Sequence, residues 1–283
     1  MWRLFILTIV CSTIATSENS RISTRDWDIL IFTQSWPNTV CLQWKEKYEN
    51  HTCLVPIRKN EWTIHGIWPT IYGTHKPGYC NTTWKFDESK ISPIEDELNK
   101  YWPNIQNGSS ETSLWEHEWE KHGTCAASLP QLDGEMKYFK QGLAWAKKYS
   151  LTDMLSSSGI NPSDGKYTVQ DLVDAIKSST NKNPAVECMT DKETGEEYLL
   201  EIRICFDKKL ELIDCDGIEP LQQGLLTNCA PSKEVFYPSN VPPVHKKPPL
   251  SDNIIREGNA KKQKISYLDT LLRIITFLQW LTL

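Results

Sequence analysis

SLWEHEWEKHG, residues 113–123, brings His117, Glu118, Lys121 and His122 into one short stretch. The pattern reads as a helix, with Ser113 as N-cap, Glu116 at N3 and Gly123 as its stop. His117 and Lys121 are four apart, as are Glu118 and His122, so each pair shares a helix stripe. The two stripes lie about 100° apart around the axis. A zinc-binding helix of the H-E-x-x-H kind needs its second histidine one residue earlier. On an α-helix His117 and His122 fall about 140° apart, and Lys121 would repel a cation. No metal is therefore expected.

The neighbouring segments set the fold class. EWTIHGIWP (61–69) reads as a strand, interrupted by Gly66 and terminated by Pro69. Alternation there puts Thr63, His65 and Ile67 on one face and Trp62 and Ile64 on the other. RDWDILIFTQSWP (25–37) is a second strand ending at Pro37. EEYLLEIRICFDKKLELIDC (196–215) reads as a strand, a turn at 207–209 and a strand. SPIEDELNKYW (92–102) is expected to be helical, with Ser92 as N-cap, Pro93 at N1 and Glu95 at N3. Residues 132–150 and 168–180 are further helical patterns, the second capped by Thr168. Strands and helices mix without a βαβ rhythm, so the class is α+β.

The chain has 283 residues, 39% of them hydrophobic, and can bury the core of one domain of about 200 residues plus extras. Twelve tryptophans are present. Most should be core, and some could line a cleft. A positive Arg3, an apolar run from Leu4 to Val10 and small residues at Ala15 and Ser17 read as a signal peptide over 1–17. Of nine cysteines, Cys11 lies in that leader and eight remain, an even count that implies disulfides in an oxidising compartment. Sequons at Asn50, Asn81 and Asn107 fit a secreted glycoprotein.

The net charge of −5 argues against tight stoichiometric nucleic-acid binding, but not against an enzyme that must release a nucleic-acid product. The domain is expected over 18–237. A Pro-rich and then basic linker follows over 238–264, and an apolar tail over 265–283. Asp269 and Arg273 interrupt the tail, which suits a membrane surface or a partner helix better than a bilayer span.

The cluster suits phosphoryl transfer, which needs fixed cations plus a proton donor and a proton acceptor. Histidine, at ~6.5, can fill either proton role. His65 is the natural partner from outside the helix.

WTIHGIWP and WEHEWEKHGTC resemble the two active-site segments of the ribonuclease T2 family of secreted, acid-preferring endoribonucleases. LIFTQSWP, YWPN, YTVQDLVDAI and the segment from ECMT to LIDC are similar to further family segments in family order, over about residues 25–230. The resemblance implies an antiparallel sheet backed by helices and stapled by disulfides, acting on single-stranded RNA as a monomer without a cofactor. It implies His122 as base, His65 as acid and His117 as phosphate ligand, with Glu118 and Lys121 stabilising the pentacoordinate state. Trp68 would stack on the base upstream of the cut, and Thr70 and Gln34 would also contact substrate. Thr70 stands where many members have Asp, which leaves base preference open. The implied disulfides are Cys41–Cys53, Cys80–Cys125, Cys188–Cys229 and Cys205–Cys215. Localisation would be extracellular, or endosomal or lysosomal after uptake. The other reading is a secreted glycoprotein effector that acts by binding a receptor or membrane.

Overall fold

The computed structural model describes residues 26–245, apart from 49, 55, 57, 164 and 231. The expected leader, the later part of the linker and the apolar tail lie outside these residues. No helix of the described residues is long and apolar enough to cross a membrane.

The strands are β1 (Ile29–Ser35), β2 (Thr63–Thr70), β3 (Lys166–Tyr167), β4 (Ala185–Thr190), β5 (Glu197–Phe206), β6 (Leu212–Ile213), β7 (Leu221–Gln222), β8 (Leu225–Leu226) and β9 (Val235–Phe236). The main sheet runs β2-β1-β5-β9-β3, and β4 and β6 also pair with β5. Every pairing in it is antiparallel except β5 with β9. Alternation along β1 divides the sheet into two faces. Leu30 and Phe32 enter the main core with Leu143, Leu172 and Ile176 of the helices, and Ile29 and Ile31 enter a smaller cluster with Trp68.

The helices are α1 (Pro37–Lys47), α2 (Glu95–Tyr101), α3 (Ser113–Glu118), α4 (Thr124–Ala126), α5 (Glu135–Lys148), α6 (Leu151–Ser157) and α7 (Val169–Thr180). The expected cap at Thr168 forms, and Asp171 completes it as a capping box. Ser92 and Ser113 do not cap. Their hydroxyls donate backward to the carbonyls of Ser89 and Ser110, so Ser92 opens a 3₁₀ turn and Ser113 is the first residue of α3. Pro37 opens α1, where its missing N–H costs nothing. Pro69 does not end β2, because β2 is the sheet edge and proline is tolerated there.

The alternation expected in β2 is overturned by a bulge. Thr33 faces Gly66 and Gln34 faces Ile64, leaving His65 as the extra residue. Ile64 and Ile67 therefore both join the main core. His65 and Trp68 meet instead, with ring centroids 5.0 Å apart.

Gly123 does not stop its helix either. After Glu118 the helix widens into a π turn, Trp119–Gly123, and continues into α4. Gly123 is helical at φ −59°, and a Cβ there would lie 2.3 Å from the Trp119 ring. Close packing explains this glycine.

The four disulfides join Cys41 to Cys53, Cys80 to Cys125, Cys188 to Cys229 and Cys205 to Cys215. The start of the expected linker is docked on the domain. The Pro238 carbonyl accepts from the Trp36 indole and the Asn38 amide, and His245 pairs with Asp191 at 2.7 Å. Asn50 and Asn107 are exposed, and Asn81 is half-buried.

Candidate active site

The bulge and the π turn aim the two halves of the site at each other. His65 leans from β2 so that its Nδ1 lies 2.5 Å from Glu201 Oε1 on β5, while its Nε2 lies 3.9 Å from Glu118 Oε1. The backbone beneath it is braced by side chains. The Trp102 indole donates to the His65 carbonyl, and the Tyr138 hydroxyl donates to the Ile67 carbonyl and accepts from the Ile67 N–H. Gly66 makes the approach of the halves possible. A Cβ there would sit 2.0 Å from Glu118 Oε2 and 2.3 Å from Trp68 Nε1.

On the helix, the π turn corrects the stripe geometry expected of an α-helix. Hydrogen bonds reach i→i+5 in such a turn, so residues five apart are brought nearer to register. The His117 and His122 rings lie 6.0 Å apart. His117, Glu118 and His122 each offer an atom within 4.8 Å of the others. The geometric argument against a shared cation is thus overturned. The charge argument stands, because Lys121 neighbours the group and lowers the proton affinity of both histidines.

The polar groups of the site are sorted by their neighbours. His122 is 6% exposed, and among the described residues neither of its nitrogens meets a hydrogen-bond partner. Burial, then Lys121 and His117, hold it well below the ordinary histidine value. Burial and then Lys121 bring His117 down to about 4. Burial would also lower His65, but Glu201 and then Glu118 outweigh it and the net shift is upward. Burial raises Glu118 to about 7, despite His65 and the 2.9 Å bond from the Trp68 indole. Burial lowers Lys121, which packs inside the site.

One expected substrate contact is corrected. Gln34 is turned to the core face of β1, where its amide donates to the Tyr149 carbonyl, so it does not reach the site. Trp68 lines the cleft but is only 8% exposed. Its indole N–H is engaged by Glu118, and its ring lies 5.5 Å from that of His122 and 5.4 Å from the Arg203 guanidinium. It is part of the wall, with little open face. Thr70 lines the same cleft, and its hydroxyl donates to the Trp68 carbonyl.

The sequence reading missed Ser35, Glu201, Arg203 and Glu219. The signal was available: Glu201 and Arg203 are two charges inside the apolar strand EYLLEIRICF. Ser35 donates to Glu201, and Arg203 bridges Glu201, Glu187 and Glu219.

Two clefts flank the imidazoles. One is lined by His122, Trp68, Thr70, His75, Arg203 and Glu219. The other is lined by His65, Glu201, Ser35, Asn104, Gln106 and Leu114.

The model of the ribonuclease T2 family matches residues 27–215. Ribonuclease Oy of Magallana gigas is 40% identical, across 78% of this chain and 99% of its own. Ribonuclease T2 of Homo sapiens is 34% identical, across 75% and 85%. Among solved structures, human RNase T2 superposes with a TM-score of 0.62 at 32% identity, covering 75% of this chain and 99% of that one. RNase NT in complex with 5′-AMP also gives 0.62, at 30% identity and coverage of 75% and 98%. With both site segments inside the matched region, the chain belongs to the ribonuclease T2 family.

Proposed function

We propose that this protein is a secreted endoribonuclease that cleaves single-stranded RNA by metal-free transphosphorylation. The observation that carries the reading is the pair of imidazoles held on opposite sides of the ordinary histidine value, each lining its own cleft. His122, neutral at working pH, takes the proton of the 2′-hydroxyl. The 2′-oxygen attacks phosphorus, the P–O5′ bond breaks, and His65 gives its proton to the leaving oxygen. A 2′,3′-cyclic phosphate results. Its hydrolysis to a 3′-phosphate runs with the two roles exchanged.

Lys121, His117 and Glu118 surround the place where charge builds on the equatorial oxygens. Preorganised groups of this kind lower the barrier because they need no reorganisation during the reaction. The upstream base is assigned to the cleft beside His122, and the downstream nucleoside to the cleft beside His65. Relatives support nucleotide binding in this fold: RNase NT was solved with 5′-AMP, and a mutant of RNase MC1 with 5′-GMP. Four disulfides support an oxidising compartment.

The test is cleavage of single-stranded RNA by purified protein in EDTA, with product ends analysed over time. Cyclic phosphates should appear first and 3′-phosphates later. A substrate with one 2′-deoxynucleotide should resist cleavage 3′ to that nucleotide. A metal requirement, or cleavage at the deoxy position, would overturn the mechanism.

A further inference from the structure

His65 is gripped from the side away from the reaction. Its Nδ1 meets Glu201 Oε1 at 2.5 Å, which leaves Nε2 directed toward Glu118 and the helix. Glu201 is two strands away, with β1 between, and the reach has a structural reason. Ser35 lies in register with Glu201 on one side and Thr63 on the other. The bulge swings the His65 ring across β1 at the level of this small residue, and Ser35 itself donates to Glu201 Oε1 at 3.2 Å. Arg203 fixes the other carboxylate oxygen at 3.3 Å and is itself held by Glu219. Glu201 is thus buried with both oxygens occupied.

We propose that Glu201 is a positioning residue for His65: it orients the imidazole through Nδ1 and holds it as the charged proton donor, with Arg203 and Ser35 fixing the carboxylate. The proposal rests on the reading of His65 as the acid. A carboxylate behind an imidazole sets both its orientation and its charge, since the bonded nitrogen must carry a proton and the imidazolium is stabilised.

The surrounding charges fit. From β5, Glu201 and Arg203 face the ring; from the catalytic helix, Glu118, His117 and His122 do. Burial pushes Glu187 well up, which favours its neutral form. Burial would raise Glu201 too, but His65 and then Arg203 pull it down to about 2.

The test is the pH profile of kcat/KM on a short single-stranded RNA for wild type and Glu201→Gln, with the His65 ring protons titrated by NMR. The glutamine keeps an acceptor for Nδ1–H and removes the charge. The alkaline limb and the His65 titration should both move to lower pH by about one unit, a tenfold change in proton affinity. Activity on the alkaline side should fall at least about tenfold. Glu201→Asp, which keeps the charge on a shorter arm, should restore most of the limb. If glutamine prevents folding, wild type decides by NMR: His65 should titrate above the ordinary histidine value with its proton on Nδ1, and a titration below that value or an unprotonated Nδ1 overturns the proposal. A merely structural Glu201 would lower thermal stability and leave both titrations in place, which also overturns it. Failure of the parent reading looks different: wild type would not cleave RNA, or His65→Ala would cleave normally.

Discussion

His65 and His122 start from the same intrinsic basicity and end on opposite sides of it. His65 rides an edge strand and leans between two carboxylates, Glu201 and Glu118. His122 sits inside a helix, buried and unpaired, with Lys121 and His117 as charged or chargeable neighbours. Carboxylates from both β5 and the helix flank His65, whereas Lys121 and His117 are the neighbours that act on His122. The difference teaches that, on the proposed reading, acid and base are set by the neighbours of each ring before any substrate arrives.

The largest expected break of this comparison comes from removing either ring. His65→Ala and His122→Ala should each lower kcat by about 10²–10⁴-fold on single-stranded RNA. The double variant should be little worse than either single, because the pair acts as a unit. Fully multiplicative losses would mean that the two rings work independently.

Next comes the covalent tie between the halves. Cys80 belongs to the loop after β2 and Cys125 to α4, and the bond closes 45 residues. Replacing both by alanine should cost about 4 kcal/mol of stability by the chain-entropy estimate, read from urea unfolding. An unchanged midpoint would show that the Tyr79 N–H to Lys121 carbonyl bond and the packing around it suffice.

A smaller effect tests the bridge between the two sides. Trp68→Phe keeps a ring in the wall but removes the N–H that Glu118 accepts. A hydrogen bond to a charged group contributes about 1.5–3 kcal/mol, so a rate loss of roughly tenfold to a hundredfold is expected. Without its donor, Glu118 should rise further above its present value of about 7, measurable by carboxyl NMR. A fall in that value would reverse the assigned role of the indole.

The mildest test leaves the protein intact. His122 must be neutral to act as base, and its value is lowered, so the acid limb of kcat/KM should lie below pH 6.5. His65 must be protonated to act as acid, and its value is raised, so the alkaline limb should lie above pH 6.5. Activity should therefore span 6.5. An alkaline limb below it would exchange the two assignments.

The α+β class, the helices at α5 and α7 and the members of the polar cluster were legible because each rests on local periodicity or on residue type. Two features that make the site work were not. Whether Gly66 ends a strand or permits a bulge depends on the partner strand, and a one-residue slip changes which side chains share a face. Whether Gly123 stops a helix or admits the Trp119 ring depends on packing within a π turn, which α-helical spacing cannot anticipate. Both glycines were read as punctuation, and both are points of close approach. Gln34 and Ser35 illustrate the same limit. They are adjacent in β1, and only the sheet reveals that Ser35 faces the imidazole's support while Gln34 faces the core.

The bracing of β2 has a consequence beyond catalysis. An edge strand presents unpaired N–H and carbonyl groups that can recruit another chain. Here the outward groups of His65 and Ile67 are taken by the Trp102 indole and the Tyr138 hydroxyl, and Pro69 and the bulge spoil the rest of the template. The side chains that brace His65 thereby also guard the edge of β2 against strand-to-strand self-association.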